Sequence, residues 1–272
     1  MTTIAFADMK REDRANLQKA INEKGGYKLI PDGAVGPATL TALKGMQKKF
    51  KIPETGLYDD STQTVLLTFI ASKYLVAKDY KVAADKLGAE VAAVRAVCEV
   101  EARGAGFLPD GRCLILFERH KFWLYLSKNK GQAFADKIAG QYPDICNRKA
   151  GGYLGKEAEW PRLERAMAID SNAALMSASW GLFQIMGFNF KAAGYPTVES
   201  FVEAMKVSER KHLEAFVSFI QANPILLKAI RAKQWAVFAE NYNGENYAIN
   251  EYDTKMATSY DRNKPWNTVA YA

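Results

Sequence analysis

Histidine is nearly absent from this chain of 272 residues, and cysteine is scarce: His120 and His212 are the two histidines, and Cys98, Cys113 and Cys146 the three cysteines. A zinc hydrolase site usually draws two or three histidines together with Cys or Asp, so zinc chemistry is not expected. No Cys-x-x-Cys pair occurs and the cysteine count is odd, which argues against a disulfide framework. Cys98 reads as a small core residue. Cys113 or Cys146 could in principle pair with a histidine as a nucleophile, but no local pattern supports it. No cofactor is called for. Long apolar runs are also missing. The longest, such as Val65-Leu66-Leu67, fall far short of a membrane span, so stable membrane insertion is not expected. The first fourteen residues carry Asp8, Lys10, Arg11, Glu12, Asp13 and Arg14 and no apolar stretch of the kind a secretory signal needs.

The content that remains is ordinary for a folded chain, 49% hydrophobic and 25% charged, with length enough for one large domain or two smaller ones. A net charge of +7 favours an anionic partner: nucleic acid, an anionic membrane surface or an acidic wall polymer. No nucleic-acid reader motif is present and the basic residues are scattered, so nucleic acid is not expected as a partner.

The chain is organised around the run from Val91 to Phe107. Val91, Val94 and Cys98 recur at steps of three and four, the spacing of one helix face, and Glu101 takes the next place on that stripe. Gly104 and Gly106 then follow, so Glu101 falls in the last turn. A carboxyl partly withdrawn from water at the negative end of a helix dipole is favoured in its protonated form. Such an acid at the edge of a cleft is what a glycosidase needs to protonate a leaving oxygen. Periodicity alone also permits the ordinary reading, a solvated glutamate in a last turn.

The first seventy residues hold an internal echo. Asp32-Gly33 through Thr39 is matched by Thr55-Gly56 through Thr62, with Leu43 aligned to Leu66. Each copy is a glycine turn followed by a Thr-bearing helix start, and Leu17 and Ile21 give a further short helix ahead of the first copy. Residues 71–86 read as helix, with a hinge placed near Lys78-Asp79. Farther on, Asp110-Gly111 signals a turn between short apolar runs, hence a small hairpin or irregular strand pair ending at Glu118-Arg119-His120. Glu118 is thereby a second candidate carboxylate with Asp110 behind it, although a salt bridge from Glu118 to Arg119 or another neighbouring base is at least as ordinary an outcome. Residues 121–138 read as helix. The glycine-rich stretch from Gln141 to Gly155 reads as a loop whose Tyr153 could approach a sugar chain. In Ser177–Gly187, Trp180 and Phe183 supply flat faces for sugar rings, and Ser179 and Gln184 supply hydrogen-bonding groups. A last run, Glu240-Asn241-Tyr242-Asn243-Gly244, places Tyr242 and Asn243 at a helix end.

The Asp-Gly-x-x-Gly-x-x-Thr element with its paired turn resembles the three-helix peptidoglycan-binding module fused to many wall-cutting enzymes, over roughly residues 13–72. That resemblance implies contact with the wall polymer between the turns, through Asp32, Gly33 and Tyr58. Glu at a helix end, then Gly-Leu-x-Gln-Ile, then Tyr-Asn-Gly resembles the motif order of the lysozyme-like superfamily, and most closely the modular endolysin muramidases of bacteriophages, over about residues 79–260. The fold so implied is mainly α: a three-helix peptidoglycan-binding module at 1–75, a lysozyme-like α-rich catalytic domain with a small β-hairpin region at 79–262, and a tail at 263–272, the residues from 261 on carrying little pattern and being expected to be disordered. The resemblance makes Glu101 the catalytic acid, lines the glycan cleft with Gln184 and Tyr242, and sets Ser179, Trp180 and Asn243 close by. It implies hydrolysis of the β-1,4 bond between N-acetylmuramic acid and N-acetylglucosamine by a monomer whose partner is bacterial peptidoglycan. Such a protein waits in the host cytoplasm until it is released to the wall. A lytic transglycosylase remains an alternative, although Ala102 stands where that pattern has Ser; a non-catalytic wall-binding protein is another.

Overall fold

The structure, a computed structural model, describes residues 3–102 and 104–269; Arg103 and the end of the tail, Ala270–Ala272, lie outside the described residues. The chain divides into two compact units: Met1–Val76 with Phe107–Arg112, and Ala77–Gly106 with Cys113–Ala272. The loop Phe107–Arg112 therefore groups with the first unit, although the sequence reading placed it inside the second.

The first unit contains α1 (Arg11–Gly25), α2 (Pro37–Lys49) and α3 (Asp60–Lys73). Its core is the apolar stripe of each helix, with Leu17 and Ile21 of α1, Leu43 and Met46 of α2 and Leu66 of α3 fully buried. Two buried glutamines tie the helices to the turns between them. Gln18 in α1 accepts the Gly33 N–H (2.7 Å) and donates to Ala34 O (2.9 Å) and Thr39 Oγ1 (3.2 Å). Gln47 in α2 repeats this pattern one step along the chain: it accepts the Gly56 N–H (2.9 Å) and donates to Leu57 O (3.1 Å) and Thr62 Oγ1 (2.9 Å). The sequence echo is thus larger than the glycine turns alone, since each copy includes a glutamine on the preceding helix. Both turn glycines need positive φ, 75° at Gly33 and 68° at Gly56.

The second unit runs α4 (Ala77–Leu87), α5 (Val91–Glu101), β1 (Ile115–Phe117), α6 (Arg119–Lys130), α7 (Gln132–Gln141), α8 (Glu159–Ile169), α9 (Ser171–Met176), β2 (Ala178–Trp180), β3 (Ile185–Met186), α10 (Val198–Met205), α11 (Glu209–Ala222), α12 (Pro224–Ala232), α13 (Trp235–Asn243) and α14 (Tyr252–Asn263). Caps explain several boundaries. Ser208 accepts from Lys211 N at the start of α11, and Asn223 with Pro224 at the first helical position starts α12. Two expected continuous helices are broken. Residues 71–86 are interrupted at Tyr74–Val76, so Lys78 and Asp79 lie within α4 rather than at a hinge, and 121–138 is split at Gly131, whose φ is 89°.

The small sheet is antiparallel, in the order β1-β2-β3. Its register pairs Ile115 with Trp180, Phe117 with Ala178, and Ser179 with Met186. The Asp110-Gly111 turn is present, with Leu108 N–H donated to Arg112 O, but β1 takes its strand partner from β2, more than sixty residues on.

Helix α5 is buried nearly all round, from Val91 to Cys98, instead of along one stripe. The segment after α14, expected to be disordered, is a 3-10 turn over Lys264–Thr268 that completes this burial. Asn267 Oδ1 accepts the Ala92 N–H at 2.8 Å, Asn263 Oδ1 accepts from Arg95 Nε at 3.0 Å, and the Arg95 guanidinium lies between the rings of Tyr80 and Trp266. Ser259 and Arg262 of α14 both donate to Glu99. No single helix among the described residues is long and apolar enough to cross a membrane.

Candidate active site

Glu101 is the last residue of α5 and is 8% exposed. The helix stops there because Ala102 turns extended (ψ 114°), its N–H still donated to Cys98 O. Asn243, the last residue of α13 ahead of Gly244, donates Nδ2 to Glu101 Oε1 at 2.9 Å. One residue back on the same helix, Tyr242 donates its hydroxyl to Phe183 O at 3.1 Å. Burial, then the neighbouring Glu101 carboxylate, holds the Tyr242 phenol well above its ordinary range, so it remains a donor.

These groups share a cleft of about 450 Å³ with Glu118, Ser179, Gln184, Asn189, Phe219 and Tyr252. Gln184 has φ 49°, a left-handed conformation unusual for a residue other than glycine. Its side chain explains how that is sustained: Nε2 donates to Gly181 O at 2.8 Å, and Oε1 accepts from Ser179 Oγ at 2.8 Å. The turn as a whole is anchored from α11, where His212 Nδ1 accepts the Leu182 N–H at 3.0 Å. A Cβ at Gly181 would come within 2.7 Å of that imidazole, and one at Gly106 within 2.5 Å, so both positions require glycine. Glu209, one turn earlier on α11, accepts the Gly106 N–H. The first turn of α11 therefore fixes both the segment that follows Glu101 and the turn that carries Gln184.

Glu118 follows β1, with its N–H donated to Ser177 O. Its Oε2 accepts from the Tyr153 hydroxyl at 2.7 Å and lies 3.2 Å from His120 Nδ1. Arg119, a possible salt-bridge partner, instead donates to the carbonyls of Pro143, Lys149 and Ala150.

Four expected contacts are corrected. Trp180 is 1% exposed, lies edge-on to Trp160 and donates Nε1 to Leu175 O, so it is a core residue and no platform for a sugar. Tyr58 is 5% exposed and likewise internal. Gly33 is buried in its own turn, so close to Arg11 that a Cβ would come within 2.4 Å of its carbonyl oxygen, whereas Asp32 beside it is exposed, its Oδ1 accepting the Ala34 N–H. Asp110 is paired with Arg112 and does not line the cleft. The cysteines are all buried and none forms a disulfide, and burial pushes the Cys146 thiol up to about 11, which disfavours a nucleophilic thiolate. Asn189, Phe219, Tyr252, Glu209 and His212 had no signal in the sequence beyond an unremarked place on a helix or turn. Among the described residues no group of three or more His, Cys, Asp or Glu could hold a metal ion.

An α-rich unit with a recessed carboxyl in a polar, aromatic-edged cleft, joined in one chain to a small helical module, is the build of a modular glycoside hydrolase. The chain belongs to the N-acetylmuramidase family, whose model matches residues 90–264; residues 10–66 match the family model of a peptidoglycan binding domain. It is also similar to the crystal structure of Burkholderia AP3 phage endolysin, with 42% identity, 97% of each chain covered and a TM-score of 0.68. No curated protein matches it. The protein is a glycoside hydrolase acting on peptidoglycan.

Proposed function

We propose that this chain is a phage endolysin that cleaves the β-1,4 bond between N-acetylmuramic acid and N-acetylglucosamine with Glu101 as the general acid. The observation that carries this reading is the Asn243–Glu101 bond inside the cleft of the unit that matches the muramidase family. Glu101 is buried at a helix C-terminus, and both features favour a neutral acid able to protonate the glycosidic oxygen. Asn243, by donating to Oε1, favours the proton on the other oxygen. Glu118 is the second carboxylate, either activating water or stabilising the oxocarbenium-like transition state. Gln184 and Ser179 present amide and hydroxyl groups to the acetamido and hydroxyl groups of the sugars.

Residues 1–75 hold the wall and 79–262 cut it. The protein acts as a monomer. The basic net charge favours approach to an acidic wall polymer. The protein acts from the host cytoplasm once released to the wall, causing cytolysis, and the same activity is antibacterial when applied to exposed walls. Mass spectrometry of fragments from purified peptidoglycan tests the reaction. Free reducing-end N-acetylmuramic acid is expected; 1,6-anhydro ends would identify a transglycosylase, and uncut glycan would leave only wall binding.

A further inference from the structure

Glu118 is embedded in a set of contacts that the reaction as described does not use. Tyr153, which donates to it, lies on the irregular stretch between α7 and α8. That stretch passes through positive φ at Gly151, Gly152, Gly155 and Lys156, and no strand ladder supports it. Side chains hold it instead. Glu159, the fully buried first residue of α8, accepts the N–H groups of Leu154 (2.6 Å) and Gly155 (2.7 Å) on Oε1. Its Oε2 accepts the N–H of Phe117 (3.3 Å), the residue before Glu118, and pairs with Arg162 at 2.6 Å. Arg162 also donates to Phe117 O and to Asp144 O. On the far side of Glu118, Arg119 grips the same stretch through its three carbonyl contacts. Residues 117, 118 and 119 are therefore each bound to the loop, by three different side chains.

A buried ion pair is costly to desolvate, and this one is compensated by backbone groups that belong only to β1 and the loop. Its effect is to fix the distance between Tyr153 and Glu118. Burial, then the Glu118 carboxylate, pushes the Tyr153 phenol up to about 12, so it stays a proton donor across the neutral range. A phenol meant to bind sugar would have its hydroxyl facing the cleft; here it is committed to a carboxylate.

We infer that Tyr153 is a positioning residue for Glu118, held in place by the buried Glu159–Arg162 pair, and not a sugar contact. The inference rests on the reading of Glu118 as the second carboxylate. Tyr153 is 45% exposed, so Tyr153→Phe removes one hydroxyl without disturbing the core. The test is steady-state hydrolysis of soluble, uncrosslinked glycan strands by the full chain as wild type, Tyr153→Phe, Glu118→Gln and the double variant, with melting temperature as the folding control. Tyr153→Phe is expected to lower kcat about tenfold with KM within about twofold. Added to Glu118→Gln it is expected to cause no further loss, because both act through one group. A raised KM at unchanged kcat would overturn the inference and make Tyr153 a sugar contact. If Glu118→Gln loses activity while Tyr153→Phe keeps full kcat, the positioning role alone fails; if Glu118→Gln keeps wild-type kcat, the reading of Glu118 fails instead. Should Glu118→Gln be too inactive for the double variant to be read, the kcat and KM split of Tyr153→Phe decides.

Discussion

Gln18 and Gln47 in the first unit and Glu101 and Gln184 in the second are all polar side chains withdrawn from water, yet they are used differently. Each glutamine of the first unit binds a glycine turn and a threonine a short way along its own chain, and the same pattern is made twice. In the second unit Glu101 meets Asn243 across 142 residues, and Glu118 meets Tyr153 across 35. The glutamines are enclosed, whereas the polar groups of the second unit face a shared cleft. Short-range satisfaction builds a module; long-range satisfaction leaves groups aimed at a third party.

The sharpest way to break this contrast is to alter one member of each set. Glu101→Gln keeps shape and the Asn243 contact but removes the proton, and is expected to lower kcat by about 10²- to 10⁴-fold with little change in melting temperature. Reducing-end release from purified peptidoglycan measures it, and near wild-type rates would refute the acid assignment. Gln47→Leu should do the reverse. It strands the Gly56 N–H, Leu57 O and Thr62 hydroxyl, costing about 2–4 kcal/mol in urea unfolding of the first unit, while hydrolysis of short soluble glycans stays at the wild-type level. Loss of that hydrolysis would mean the two units are not independent.

A smaller effect distinguishes the two copies of the repeat. Gly33→Ala and Gly56→Ala both force an L-residue into positive φ, at roughly 1–2 kcal/mol. At Gly56 the new Cβ meets the flexible Lys44 side chain, but at Gly33 it meets the Arg11 backbone, so Gly33→Ala should lower the melting temperature further. Equal losses would show that the Arg11 backbone yields.

The smallest effect is a pH dependence in the second unit. Burial raises the pKa of Glu99, but hydrogen bonds from Ser259 and Arg262 outweigh it, and the net position is below the usual 4.5. A depressed carboxylate stabilises the fold above its unfolded pKa, and that contribution is lost as pH falls below about 4.5 and through the folded value. Glu99→Gln should therefore narrow the stability difference between pH 7 and pH 4, by under about 1 kcal/mol because the pair is partly exposed. Urea midpoints at the two pH values measure it, and an unchanged difference would remove Glu99 from the account.

Glu101 could be read from sequence because helix periodicity and the following glycines locate a carboxylate at a helix end. Tyr242 and Asn243 could be read because Gly244 marks another. Gln184 was found as a hydrogen-bonding residue, although nothing foretold its left-handed backbone. Trp180 was misread because an aromatic beside polar residues looks alike whether its face is wet or packed, and only pairing with β1 decides. Gln18, Gln47, Glu159 and His212 were missed for one reason. Most of their partners are backbone N–H and C=O groups, which nearly every residue carries and no side-chain pattern reveals. Where the partner was a side chain, as for Asn243, a motif could point to it.

The contacts of α14 and Lys264–Thr268 with α5 also give the end of the described chain a part in supporting the acid-bearing helix. The helix that carries Glu101 comes early in the chain, yet Asn267 caps its first turn and Asn263 and Trp266 hold its Arg95. Without these residues the start of α5 would lose its cap and the Asn263 and Trp266 contacts of Arg95, while the Asn243 bond to Glu101 would remain. Removal of residues 263–269 is therefore expected to loosen α5 from its start rather than at the acid itself.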